Sequence, residues 1–275
     1  MNKLLHKKQM AQNVTEYTFN APDVVRNAKA GQFIVLRVDQ KGERVPFTIF
    51  DYDKEKGTLK ILVQTVGFST QKLSRLNEGD YVSDIVGPLG LPTDLSFAKK
   101  VVLIGGGIGA AVIHPQSKVL KKANIDVDVI LGARDSSLIM YEEDFKKYAN
   151  NVYVMTDNGS LGEKGNVVDK LRYLIETGSN YDVVFAVGPL MMMKAVSNFT
   201  KTYSLKTIIS MNSIMIDGIG MCGGCRLTVG GETKYACVDG PEFDAHLIDF
   251  DEAIMRSRLY QEEEKACRLR GEKND

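Results

Sequence analysis

The sequence predicts a β plus α/β chain: a small antiparallel β-barrel, then a doubly wound parallel sheet, then a short cysteine-bearing loop unit. Up to about residue 96, short β-branched and aromatic runs are separated by polar turns. From Lys100 onward similar runs alternate with helical stretches, and three of the four cysteines fall within residues 222–237 of a glycine-rich segment. The expected units are residues 1–96, 97–211 and 212–275.

In the first unit the expected strands are 15–19, 32–37, 45–50, 58–65 and 81–86. Turn signals at Lys41-Gly42 and Gly79-Asp80 punctuate them, and strands at this spacing suit a barrel. Gly87-Pro88-Leu89-Gly90 reads as a further turn. The second unit has β-branched runs at 101–104, 127–131, 152–155, 183–187 and 207–210, with helices expected at 110–122 and 167–176. Strand and helix in alternation imply parallel strands. The third unit reads as a Gly/Cys loop over 212–244, followed by one helix from 251 to about 269 that carries Cys267 as an unliganded residue.

A chain of 275 residues is long enough for two domains with their own cores. Its 35 basic and 35 acidic residues give no reason to expect nucleic acid or a membrane surface as partner. The first residues lack the apolar run of a signal peptide, and no stretch approaches the roughly 18 apolar residues of a membrane span. A cytoplasmic protein is expected, with cysteines reduced or metal-bound. His6, His114 and His246 are scattered, no Ser/His/Asp or paired-carboxylate set stands out, and Met191-Met192-Met193 reads as flexible core filler.

Asp217, Cys222, Cys225 and Cys237 follow the spacing D-x4-C-x2-C-x11-C. A plant-type 2Fe-2S ferredoxin uses C-x4-C-x2-C and a distant fourth cysteine, so the pattern matches with Asp217 in the first thiolate's place. Gly218, Gly220, Gly223 and Gly224 let backbone wrap close to such a centre with no Cβ in the way. A zinc knuckle, or buried thiols without a ligand, are the alternatives, and Asp217 also fits an ordinary turn. Elsewhere, Val101 to Ile104 runs into Gly105-Gly106-Gly107-Ile108-Gly109 and a helix, a geometry that brings a diphosphate to a helix N-terminus. Glycine turns of this kind also serve packing alone.

The order of barrel, nucleotide-type sheet and ferredoxin-like loop resembles the ferredoxin–NADP reductase superfamily, over essentially the whole chain. One branch carries a C-terminal 2Fe-2S loop. It includes the electron-transfer subunit of dihydroorotate dehydrogenase and the small subunit of NADH-dependent reduced-ferredoxin:NADP oxidoreductase, also described as a sulfide dehydrogenase subunit. The string MIDGIGMCGGCRLTVGGETKYACVDGPEFD is similar to the second, because the first has Cys where Asp217 stands.

The resemblance implies FAD in the barrel, NAD(H) on the parallel sheet and a 2Fe-2S cluster on Asp217, Cys222, Cys225 and Cys237. It implies a flavin site at Arg44, Pro46, Phe47 and Thr48, with Thr48 touching the ring and Arg44 the pyrophosphate. The commoner form has Arg three residues before the hydroxyl; here it is four, so a bulge near Pro46 is needed to bring Arg44 to the matching side. Gln64, Thr65, Gly67, Ser69 and Thr70 form the other half, with Ser69 and Thr70 opening a helix over 70–76. Gly106, Gly107 and Gly109 face the NAD pyrophosphate, Gly188 and Pro189 border the nicotinamide, and Arg134 and Asp157 flank the adenosine. Asp135, Glu142 and Glu143 near Arg134 favour NAD over NADP. The implied partner is a larger NADP- and FAD-binding iron–sulfur flavoprotein subunit, with ferredoxin reached through it. The rival readings are the dihydroorotate dehydrogenase subunit and a zinc-stabilised, non-catalytic binding domain.

Overall fold

The structure is a computed structural model that describes residues 2–271, with side chains through residue 266. Eight strands form two antiparallel sheets: β1 (Asn2–Ala11), β2 (Val14–Asn20), β3 (Phe33–Arg37), β4 (Arg44–Thr48), β5 (Asp51–Asp53), β6 (Thr58–Gln64), β7 (Tyr81–Val82) and β8 (Asp84–Leu89). Their orders are β5-β6-β2-β1-β7 and β4-β3-β8. Two short helices, α1 (Pro22–Val25) and α2 (Phe68–Ser74), complete this unit. Leu59, Ile61 and Val63 of β6 repeat at period two and meet Tyr17, Phe19, Ile34 and Leu36 in one apolar core.

β1 escaped the sequence reading. Only Leu4 of its ten residues is buried, so the lysine-rich stretch shows no alternation, yet it pairs with β2 through a tight turn where Asn13 adopts a φ of 63°.

The second unit runs β9 (Lys100–Gly106), α3 (Ala110–Lys122), β10 (Asp126–Ala133), α4 (Glu142–Phe145), β11 (Asn151–Thr156), β12 (Glu163–Lys164), α5 (Val167–Glu176), β13 (Val183–Val187), α6 (Leu190–Thr202) and β14 (Thr207–Ser210). Its strands are parallel. Neighbouring residues feed opposite faces: Val102, Ile104, Val184 and Ala186 enter one core, Val101, Leu103, Val183 and Phe185 the other. Burial on both faces is why these strands read as unbroken apolar runs.

The remaining elements are β15 (Arg226–Val229), β16 (Glu232–Tyr235), β17 (Glu242–Asp244), α7 (Phe250–Arg256) and α8 (Gln261–Gly271). β15 and β16 form a hairpin, and β17 joins the large sheet antiparallel to β14, giving the order β12-β11-β10-β9-β13-β14-β17. The single C-terminal helix expected over 251–269 is two. Around residue 257 the bonding tightens to three-residue spacing, Arg258 N–H to Met255 and Leu259 N–H to Arg256, while Ser257 Oγ donates to the Ile254 carbonyl at 2.8 Å. The Cys267 side chain lies outside the described residues.

A buried histidine and a partly buried glutamate sit where the units meet. His114 of α3 lies in a box of Phe50, Tyr141, Phe145 and Tyr148, with ring centroids 4.7 Å apart for Phe50, and neither ring nitrogen has a protein partner. Burial first, then Lys118, lowers its pKa to about 4; Lys147 acts the same way, while Asp51 and Asp144 oppose. Glu242 ends a chain in which Gln116 donates to Thr93 and Thr93 to Glu242, linking α3, the inter-unit segment and β17. Burial raises the Glu242 carboxyl to about 8 against the Thr93 hydrogen bond.

The two groups have opposite consequences for stability. Unfolded His114 takes up a proton below its ordinary 6.5, whereas the folded chain refuses it down to about 4, so stability is lost as pH drops from 6.5 to 4. His114→Phe is expected to remove this loss, on the order of 3 kcal/mol at full extent. Folded Glu242 keeps its proton to about 8 while the unfolded group loses it near 4.5, so its contribution is present below 4.5 and is lost as pH rises to 8. Glu242→Gln is expected to flatten that decline. Urea unfolding from pH 4 to 8 checks both; slopes equal to wild type would reject the assignments.

Candidate active site

The chain leaves β9 toward β10, β11 and β12, then returns on the other side through β13 and β14. Such a reversal opens a crevice at the carboxyl ends of the two central strands. Here the turn Gly106–Gly109 meets Gly188-Pro189 backbone to backbone. A Cβ at Gly188 would lie 3.0 Å from Gly106 Cα, and one at Gly109 would strike the Val187 carbonyl. Gly107 adopts a φ of +55°, which favours glycine. These glycines therefore serve packing and also leave the backbone bare toward a cleft of about 1010 Å³.

One wall comes from the barrel. Val45, Pro46, Phe47 and Thr48 of β4, Leu62 and Gln64 of β6, and Val66 and Thr70 line it. Arg44 does not line it. The β3–β4 register runs from Phe33–Thr48 to Arg37–Arg44 without the bulge expected near Pro46, so Arg44 shares a strand face with Pro46 and Thr48 but stands at the exposed start of β4, beyond the lining. Thr65, Gly67 and Ser69 also stand off the lining. Thr65 N–H donates to the Asn13 carbonyl at 2.7 Å, and Ser69 Oγ donates to Glu43 Oε2 at 2.7 Å. Thr70 Oγ1 accepts from the Val66 and Gly67 amides, each at 3.0 Å, so those amides hold the turn rather than standing free for a phosphate. The helix starts at Phe68, not 70, because this bonding folds Thr70 into its first turn.

The opposite wall is the parallel sheet. Gly106, Gly107, Gly109, Gly188 and Pro189 form its centre, and Arg134 and Asp157 stand at the far end after β10 and β11. Asn166, Asp169 and Arg172 of the α5 start join them. Asn166 caps α5 by accepting from Val168 and Asp169 amides at 2.9 and 3.2 Å. The carboxylates that weighed against a phosphate in the sequence are engaged elsewhere: Asp135 accepts from Ser137 N–H at 2.9 Å, and Glu142 and Glu143 pair with Lys146 at 2.8 and 2.6 Å.

The cysteine loop packs on the same core as this wall. Cys225 and Cys237 are buried with their Sγ atoms 3.3 Å apart, while Cys222 is exposed. Burial, then the Cys225 thiol, pushes the Cys237 thiol up to about 12. Partial burial works to raise the Asp217 carboxyl, but the Ile219, Cys222 and Met221 amides, at 3.0, 2.6 and 3.1 Å, hold it below its usual value. The four expected ligands thus fall into two pairs, Cys225 with Cys237 and Asp217 with Cys222. Among the described residues no three His, Cys, Asp or Glu side chains converge as a single metal ion requires. Two donors per iron suit a two-iron centre, and the site's chemistry fits that group rather than zinc.

Sequence reasoning missed Arg172 and Asn212 and did not place Met191 and Met192 on the cleft. The capping pair Asn166 and Asp169 after Gly165 was a readable sign that α5 begins here. Which helix face meets the cleft is a matter of tertiary packing.

A flavin-sized cleft between barrel and parallel sheet, joined to a buried cysteine pair, defines an electron-transfer flavoprotein with an iron–sulfur unit. The profile described as "Oxidoreductase FAD-binding domain" matches residues 2–92, and "Iron-sulfur cluster binding domain of dihydroorotate dehydrogenase B" matches residues 212–249. The chain is 47% identical over 283 residues to "Uncharacterized protein in adh 3'region" of Clostridium beijerinckii, covering 100% of this chain and 96% of that protein. It is 40% identical over 265 residues to the "Dihydroorotate dehydrogenase B (NAD(+)), electron transfer subunit homolog" of Thermotoga maritima, covering 96% and 93%. A chain of the solved NADH-dependent reduced ferredoxin–NADP oxidoreductase, described for flavin-based electron bifurcation, superposes with a TM-score of 0.92 at 39% identity, covering 98% and 97%. The chain belongs to the family of flavin- and iron–sulfur-dependent electron-transfer subunits within the ferredoxin–NADP reductase superfamily.

Gly109→Ala is expected to force the two glycine turns apart. Stability should drop by about 1–3 kcal/mol and affinity for the nicotinamide nucleotide by roughly tenfold or more, with flavin still bound. Thermal unfolding and calorimetric titration with NADH check this; unchanged NADH affinity would detach the turn from the nucleotide site.

Proposed function

We propose that this chain is the NADH-side subunit of an NADH-dependent reduced-ferredoxin:NADP oxidoreductase. The observation that carries the reading is Asp217 in the first ligand position, paired with Cys222 across the loop from the Cys225–Cys237 pair. Asp217, Cys222, Cys225 and Cys237 would hold the 2Fe-2S cluster, and the β4 wall with Gln64 and Thr70 would hold FAD. When bound, the flavin joins the two-electron chemistry of nicotinamide to the one-electron chemistry of the cluster.

The protein's own part is positioning. Thr48 offers a hydroxyl on the β4 wall, and Pro46, Phe47, Leu62 and Val66 surround it with apolar surface that excludes water. Gly106, Gly107, Gly109 and Gly188 let a dinucleotide lie against bare backbone, and Met191 and Met192 supply adaptable cover beside Pro189. Asp157 at the far end, with Arg134 beside it, would accept from a ribose hydroxyl and would repel a 2′-phosphate, which favours NAD(H).

The partner is a larger NADP- and FAD-binding iron–sulfur flavoprotein subunit, and ferredoxin is reached through it. Ile216, Ile219, Met221 and Val238 are exposed apolar residues around the cysteine loop, with Met221 82% exposed. Apolar surface gathered at one site supports a protein interface there. Among the described residues no helix is long and apolar enough to cross a membrane. The second reading, a dihydroorotate dehydrogenase electron-transfer subunit, is favoured by the name of the Thermotoga maritima relative. Coexpression with each large subunit separates the two, since the true partner copurifies.

Anaerobically purified protein is expected to contain two irons and two acid-labile sulfides per chain. Cys225→Ser should abolish the reduced-state EPR signal while flavin absorbance persists; an unchanged signal removes Cys225 from the ligand set. Asp217→Cys should keep a 2Fe-2S spectrum with an altered potential. If neither spectrum nor potential moves, Asp217 is a turn residue only.

A further inference from the structure

Helix α7 reaches back to the turn between Cys222 and Cys225. Arg256, its last residue, donates from Nη2 to the Gly224 carbonyl at 3.2 Å and to the Gly223 carbonyl at 3.5 Å. The carbonyl of Gly223 and the N–H of Gly224 belong to one peptide unit. At its other end the Gly224 N–H donates to Cys222 Sγ at 3.4 Å. Arg256 therefore grips the back of a peptide whose front faces the sulfur.

The turn favours glycine at position 223, where φ is +66°, while a Cβ at Gly224 would make ordinary contact, 3.5 Å from Cys222 Sγ and 3.4 Å from the Ile214 carbonyl. The guanidinium is also uncompensated. Among the described residues it forms no ion pair, its Nε is buried without a protein partner, and Glu252, one turn earlier on α7, accepts instead from the Thr228 amide at 2.9 Å. A partly buried cation with no counter-charge is costly unless a negative group completes its surroundings. A centre held by three thiolates and a carboxylate is such a group.

We propose that Arg256 is a positioning residue for the iron–sulfur site: it aims the Gly224 N–H at the Cys222 sulfur, and its charge raises the site's reduction potential. The inference rests on Cys222 being a cluster ligand. An added electron places more negative charge on the sulfur, which strengthens an N–H···S bond. A cation on the carbonyl of the same peptide polarises that N–H further. Hydrogen bonds to sulfur and net charge nearby are established controls of iron–sulfur potentials.

The test uses the anaerobic holoprotein as wild type, Arg256→Gln and Arg256→Lys, each assayed for iron, sulfide and the reduced-state EPR signal, then titrated with dithionite. The midpoint potential is expected to fall in Arg256→Gln, and to fall less in Arg256→Lys, which keeps the charge but not the planar fork. Clusters present in all three at one common potential overturn the proposal. If Arg256→Gln retains no iron, Arg256→Lys decides: a lowered potential supports the role and an unchanged one overturns it. Wild-type protein without iron and sulfide overturns the parent reading, and this inference with it, a result distinct from loaded clusters with equal potentials.

Discussion

Strand β3 is the element on which both redox positions depend. On one edge its Phe33 pairs with Thr48 of β4, the strand that walls the cleft. Phe33 and Val35 also belong to the packed cluster that contains Cys225 and Cys237. Gly218, next to Asp217, presses so near this strand and β8 that a Cβ would lie 3.0 Å from Val35 Cγ2 and 2.8 Å from Leu89 Cδ1. A single strand's width thus separates the β4 wall of the cleft from the cysteine loop. Close-packed interiors hold such spacing rigidly, since even one methylene too many displaces its neighbours.

The same economy explains why the third unit is not a detachable module. Its hairpin β15–β16 and helix α7 share a core with α5, α6 and β13, and β17 closes the large sheet. Backbone bonds cross to the barrel as well: Leu91 N–H donates to the Gly240 carbonyl at 2.7 Å, and Gly90 has no room for a Cβ against Phe33 and Pro241. An electron-transfer loop on a free tether would sample many distances from the flavin. Burial in a shared core fixes one.

Much of this was legible because the second unit follows simple rules. The boundaries of α3 and α5 fall where glycine turns and helical periodicity predict, and the five parallel runs are strands buried on both faces. The barrel was legible in outline, less β1, whose exposed lysines hide its register, and less the end of β8, where Gly87-Pro88-Leu89, expected as part of a turn, is strand. On the site, of the residues chosen for their backbone, Gly106, Gly107, Gly109 and Gly188 lie on the cleft and Gly67 stands off it. Residues chosen for a side-chain hydroxyl or charge fared unevenly: Thr48 and Thr70 line it, while Ser69 bonds to Glu43 and Arg44 lies outside the lining. A backbone role is set by local turn geometry, which sequence records. A side chain's direction depends on register and neighbours, and Arg172 and Asn212 reach the cleft only because separate elements converge.

The two ligand pairs differ in a way that gives the loop a direction. Cys225 and Cys237 are buried, and burial, then the Cys225 thiol, pushes the Cys237 thiol up to about 12. Asp217 and Cys222 sit nearer the surface, the Asp217 carboxylate accepting from the amides of Ile219, Met221 and Cys222 among exposed apolar side chains. The buried pair therefore faces the core shared with β3 and the flavin wall, and the exposed pair faces the surface open to a partner. A centre spanning the two would have one half within the molecule and the other toward the surface. The apolar rim would also exclude water there on docking, strengthening the electrostatic influence of nearby fixed charges such as Arg256.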